Sequence, residues 1–323
     1  SSGDIPIATS NNVGGIIAGS GLSIDSNGEL SVSNLSKWSS GSSNKIFYNS
    51  GNVGIGTANP SKKLDVNGDA KINALTVGKG GGNANSNTAV GVDVLENNKS
   101  TAWYNTGIGF WALKYNTTGY SNVACGYRAL RSNTTGNNNV AIGHDALINN
   151  TTGQANNGVG LQSLYYNTTG SYNITSGLQT LYLNTTGKKN VAVGSESLVY
   201  NTTGDNNVAA GYNALYTNTT GDNNVATGYK AGYNNTTGQY NTFIGYETNI
   251  TPTNATWENS TALGYQAKIT KSDQIVLGRT STPPEVYIPG NVGIGTNSPS
   301  KKLDVNGDIK LSGSLTAGST EIT

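Results

Sequence analysis

The chain has 323 residues, 34% hydrophobic and 11% charged, with 44 glycines, three phenylalanines and no methionine. So little apolar material excludes a large globular core. Eighteen tyrosines and a near balance of 19 basic against 18 acidic residues exclude the high net charge of a disordered chain. A net charge of +1 offers no footprint for nucleic acid or anionic lipid, and no apolar run has the length a membrane span needs, so neither nucleic acid nor membrane insertion is expected.

Residues 1–50 are expected to form a β shaft. SSGDIPIATS is neither basic nor followed by an apolar secretory core, and the missing initiator methionine reads as a fragment of a longer protein. GLSIDSNGELSV (21–32) alternates apolar and polar residues around Asn27-Gly28, a hairpin signal. Residues 51–85 form a second module. Its GNVGIGTANPSKKLDVNGDAKI (51–72) recurs as GNVGIGTNSPSKKLDVNGDIKL (290–311), with 18 of 22 positions identical. Each copy is expected to fold as a hairpin around Asn67-Gly68 or Asn306-Gly307, and Asp65, Asp69, Asp304 and Asp308 read as turn formers rather than paired catalytic carboxylates.

From 86 to 269 a single period dominates. The tetrapeptide N-T-T-G ends at Gly119 and every 17 residues thereafter to Gly238, and N-V-A-x-G follows in the same register from Gly126 to Gly245. A leucine stands four residues after most of the second glycines, as at Leu130, Leu147 and Leu198. Seventeen residues are too few for the helix pairs of common repeat arrays. The spacing fits a parallel β-solenoid whose coils each supply two short strands and two turns, stacked at about 4.8 Å per rung into a rod on the order of 50 Å long. Asparagines stacked rung on rung are placed to bond one another. Period-two alternation predicts that Val123 with Cys125 and Val140 with Ile142 fill the coil, and that Ala124, Ala141, Ala192, Ala209 and Ala226 line a face open to another chain. Residues 270–323 close the chain with the second copy of the 51–72 unit. The fold class expected is all-β: a solenoid of 17-residue coils flanked by β-hairpin modules, with almost no helix.

No residue set supports catalysis, a cofactor or a metal. His144, the only histidine, and Asp145 stand in a variable slot that other coils fill with Tyr127-Arg128 or Tyr212-Asn213. Cys125 takes a slot shared with Ile142 and Val193, which predicts a buried small apolar residue. Gly54-Ile55-Gly56 and Gly80-Gly81-Gly82 precede no helix, so they read as turns rather than phosphate loops. The N-T-T sequon is locked to the period, which assigns it to a turn before a glycan. Receptor contact falls to departures from the repeat: Trp103 and Trp111 in an irregular early coil, and Trp257 in an insertion. The alternative for all three is capping of the solenoid.

The N-V-A-x-G-x-x-A-L unit resembles the head repeats of trimeric autotransporter adhesins, whose left-handed parallel β-roll is built by three intertwined chains from units usually shorter than 17 residues. GNVGIGT with PSKKLDVNGD is similar to segments of bacteriophage tail fibres just upstream of a self-cleaving intramolecular chaperone. The resemblance implies an intertwined homotrimeric fibre on a virion tail, attached to other tail proteins, with a host cell-surface receptor, most simply a glycan, and with a chaperone removed after Thr323. A bacterial surface adhesin is the nearest alternative. An ice-binding solenoid and a polysaccharide depolymerase stand further off.

Overall fold

A computed structural model describes residues 52–310, except Gly56, Ala58, Asn254 and Thr280, together with short strands on either side of that span. The chain divides into two compact units, residues 1–70 and 71–323.

In the first unit, Leu22–Ile24 pairs antiparallel with Leu30–Val32, so the expected hairpin is formed; its Asn27-Gly28 turn lies outside the described residues. The duplicated segment folds differently from expectation. Val53–Ile55 pairs with Leu64–Val66 in parallel, and in the second unit Val292–Ile294 pairs with Leu303–Val305 in the same register. Each copy is therefore a single open coil rather than a hairpin about its Asn-Gly. The loop is held by Asp65, whose Oδ2 accepts from Ser61 N (2.8 Å) and Ser61 Oγ (3.0 Å), and identically by Asp304 with Ser300. The proline carbonyl accepts from an asparagine amide at Pro60 and at Pro299. These side-chain bonds close a loop that an Asn-Gly hairpin would have left to the backbone, which is why the dipeptide signal misled. The true tight turn lies at Asn73-Ala74, both with positive φ, between the neighbouring strands Ala70–Ile72 and Leu75–Gly78.

The second unit is dominated by a fourteen-stranded sheet. Twelve of its strands run parallel, one per coil: they start at Thr88, at Thr106, at every seventeenth residue from there to Thr242, then at Thr261 and Ile275. The stack is the all-β solenoid that the 17-residue period predicts. Most coils hold one three-residue strand rather than two; a second strand forms toward the end of the stack, where Asn249–Ile250 pairs in parallel with Lys268–Ile269. The remainder is a succession of tight turns, seen in one coil as Ala129 N bonding to Gly126 O, Arg131 N to Arg128 O and Asn133 N to Leu130 O. Arg128 and Leu130, each third in its turn, have φ of 55° and 50°, the left-handed placement of a type II turn. Non-glycine residues pay about 1 kcal/mol each for it. The turns are nonetheless tied between coils, Leu130 N to Ala146 O and Thr134 N to Thr151 O, so these backbone groups are bonded without a second strand.

The strand's middle residue points inward, reversing the expected faces. Ala124, Ala141, Ala192, Ala209 and Ala226 are all wholly buried, packed against the leucine column of Leu113, Leu130 and Leu147. Val123 and Ile142 lie on the outside, and Cys125 beside them is half-exposed rather than buried. The alternation was sound but its sense was not: a coil one strand wide has room inside for alanine against leucine, and none for two β-branched side chains. Volume is conserved where the pattern departs. At Gly232 the leucine slot is empty, and Phe243 in the next alanine slot fills it; a Cβ on Gly232 would stand 2.8 Å from that ring.

Two asparagine ladders complete the interior. In one, Asn133 Nδ2 donates to Asn116 Oδ1 (2.7 Å) and to Gly136 O, and the pattern repeats through Asn150, Asn167, Asn184, Asn201 and Asn218. In the other, Asn139 N and Nδ2 both reach Asn122 Oδ1, and Nδ2 also reaches Gly153 O. These side chains are fully buried, so the sequon asparagines serve the turn, as the period implied. The glycine after each strand has φ between 102° and 148° from Gly91 to Gly264, and a Cβ on Gly143 would lie 2.5 Å from Gly160 O.

Candidate functional site

Three strips of the solenoid's outer surface bear on function. The first is the strand face. From Thr106 to Leu277 its outward positions carry no charged residue. Eleven large apolar side chains on it are exposed, among them Ile108, Ile142, Val193, Ile244 and Leu263. A row of exposed apolar side chains of this kind marks an interaction surface.

The second strip is the corner after each strand. Its first position stacks rings: Phe110 on Tyr127 (5.4 Å), Tyr127 on His144 (4.8 Å), and Tyr212, Tyr229, Tyr246 and Tyr265 in one column at 5.0–5.7 Å. His144 is exposed, as its variable slot implied. The next position is a polar ladder. Arg128 clasps Asp145 with two bonds (2.8 and 2.7 Å), which holds the guanidinium proton more firmly than usual; Gln179 donates to Gln162, and Gln266 to Glu247. Asp145 is thus committed to structure. At the start of the ladder Lys114 lowers the proton affinity of Asp93 below the ordinary carboxylate range. At the far end, Leu263, Tyr265, Leu277, Arg279 and Pro284 enclose a groove of about 370 Å³.

The third strip is the corner before each strand and holds Trp103. The structure separates the three candidate tryptophans. Trp111 is half-buried, donates from Nε1 to Asp93 (3.1 Å), stacks on Phe110 (4.6 Å) and lies under Lys114 and Arg131. Trp257 packs on the core; its Nε1 donates to Thr251 O (3.1 Å), and its carbonyl accepts from Asn241, ending an asparagine ladder. These two bind the solenoid together at its ends. Trp103 alone is open, 51% exposed, beside Tyr104 at 65%. With Ala84, Asn85, Ser86 and Ser100 the pair lines a groove of about 500 Å³. Sequence reasoning named Trp103 but not Tyr104, whose position falls one residue outside the tryptophan pattern.

Gly80–Gly82 lies against the backbone of the first coil, where added Cβ atoms would meet Leu95, Glu96 and Lys99 at 2.4–2.5 Å. The threonines do not present a double ice-matching row: in Thr117, Thr134, Thr151 and Thr168 the hydroxyl is already donated to a carbonyl of the next coil. Among the described residues no helix is long and apolar enough to cross a membrane, and no cluster of three metal-ligating side chains occurs. No family model matches the chain, and neither does any curated protein.

Proposed function

We propose that the chain is a stiff structural and host-attachment segment of a homotrimeric viral tail fibre, bound through its flanking modules to other tail proteins and through surface loops to a host glycan. The observation that carries this reading is the uncharged strand face. It runs the length of the solenoid, some 50 Å at 4.8 Å per rung, and eleven large apolar side chains stand exposed along it, the mark of an interaction surface. A second and third copy of the same chain match it in period and in apolar character, which makes self-association the natural way to cover it. The interface assigned in this way is the Val/Ile face, not the alanine face. Three copies then display each corner loop three times, and trivalent display converts weak contacts into firm attachment where spacing matches.

The test is the native mass by light scattering, for the wild type and for Ile142→Lys with Val193→Lys, both half-exposed on the face. The wild type is expected at three chains and the double variant at one, with unchanged circular dichroism. A single-chain wild type sinks the trimer.

A further inference from the structure

The geometry points to the Trp103–Tyr104 groove as a binding site for a neutral saccharide. In the coils that follow, the Trp103 slot holds Tyr120 and then small or polar residues, Asn137, Gln154, Ser171 and Lys188, so nothing in the repeat calls for an indole there. The ring contributes little to the interior, being half-exposed, while the neighbouring Ala102 fills the core beneath it. It is nevertheless held in place: Nε1 donates to Ser100 O at 2.7 Å. The backbone of Tyr104 is held as well, its N–H donating to Ser86 Oγ at 3.1 Å, with the left-handed φ that its slot takes along the repeat from Ser121 to Tyr240.

The held indole and the exposed Tyr104 ring beside it give the groove a surface with an apolar face and a polar rim, and that matches a pyranose, whose C–H face is apolar and whose edge is hydroxyl. Hydroxyl partners stand close by. Asn85, Ser86 and Ser100 line the same groove, and Asn85 and the serines supply amide and hydroxyl groups able to donate and accept. Asn85 Oδ1 is oriented by Lys79 Nζ at 2.7 Å. The volume, about 500 Å³, falls within the range of small-ligand pockets. No charged residue lines the groove itself, and the Lys79 ammonium beside it is bonded to Asn85 Oδ1; with no guanidinium in the lining to clasp a carboxylate, the groove favours neutral hexoses and N-acetylhexosamines. The assignment rests on the attachment reading only in naming a host-surface glycan as the source of the sugar.

The experiment uses the full chain on a glycan array carrying neutral and acidic oligosaccharides, with tryptophan fluorescence titration of the hits and a parallel measurement of binding to host cells. Trp103→Ala is compared with Trp103→Phe, and Tyr240→Ala, an exposed tyrosine eight coils along the same column as Tyr104, serves as the control. The expected result is neutral-sugar binding that weakens at least about tenfold in Trp103→Ala, returns largely in Trp103→Phe and is unchanged in the control. Equal binding by wild type and Trp103→Ala overturns the site while leaving attachment standing. Preference for acidic glycans, or cell binding with no glycan binding, overturns the ligand class. Failure to bind either cells or glycans overturns the site and the attachment reading together.

Discussion

Two regions built from similar short strands treat the same side chain in opposite ways. In the solenoid Leu147 is wholly buried, whereas in the two duplicated coils Leu64 is 61% exposed and Leu303 58%. The difference is stacking. A 17-residue coil between two others has its alanine, leucine and asparagines covered above and below, while among the described residues each strand of the duplicated coil has a single partner. A coil is therefore not a domain; it becomes one when repeated, and where it stands alone its apolar residues remain available to other chains.

The sharpest test of that view lies in the one coil where the interior has been rearranged. Phe243→Ala removes a fully buried ring and should cost about 3–5 kcal/mol. Gly232→Leu alone should cost about 1–3 kcal/mol by collision with the ring. The double variant restores the leucine–alanine pairing of the other coils and should recover most of both losses, a coupling that denaturant unfolding of the four proteins would measure. Additive losses would show that the exchange of volume is incidental.

Next in size is the asparagine ladder. Asn150→Ala removes donors to Asn133 and Gly153 and strands Asn167, which donates to Asn150 Oδ1 at 2.8 Å. About 2–3 kcal/mol should be lost, since the orphaned groups stay buried. Leu64→Ala, in the lone coil, should change single-chain stability by no more than about 0.5 kcal/mol. If that residue packs between chains, the same variant lowers the oligomer's dissociation midpoint instead, so paired unfolding and mass measurements separate the two cases.

The period, the parallel stack, the leucine column and the asparagine ladders were legible because each depends on what recurs every 17 residues. Which face of the strand turned inward was not, since alternation fixes two faces and leaves their sense open. Cavity width settles that, and width depends on the turns. Those turns were hidden too: glycine marks one positive-φ position, but Arg128 and Leu130 also take positive φ without any residue signal. At the candidate site, Trp103 was legible as a departure from the repeat. Its separation from Trp111 and Trp257 was not, because it depends on where each indole N–H finds its acceptor.

A pH scan distinguishes the regions by a smaller effect. Burial, with help from the neighbouring Tyr200, pushes the Tyr216 phenol up to about 12 from the usual 10.0. A raised folded value means that its contribution is whole below pH 10 and is lost as pH climbs toward 12. The solenoid should weaken in that window, and Tyr216→Phe should remove both the late step in absorbance at 295 nm and part of the weakening. In the lone coil Asp304 is held below its ordinary range by the N–H and hydroxyl of Ser300, so its contribution is present above the unfolded value and fades as pH falls. Asp304→Asn should abolish that acid sensitivity.

The smallest effect addresses the strain stored in the turns. Lys189 is exposed and has φ 57°, with its N–H bonded to Ser171 O. Glycine takes that conformation without a Cβ penalty and keeps the bond, at the cost of a freer unfolded chain. Strain relief of about 1 kcal/mol against an entropy loss somewhat smaller predicts that Lys189→Gly stabilises by about 0.5 kcal/mol. The gain should appear as a small rise in the denaturation midpoint at constant slope. A loss would mean that stacking of identical coils has already relaxed the turn, and that the lysine stem repays its strain through packing along the corner.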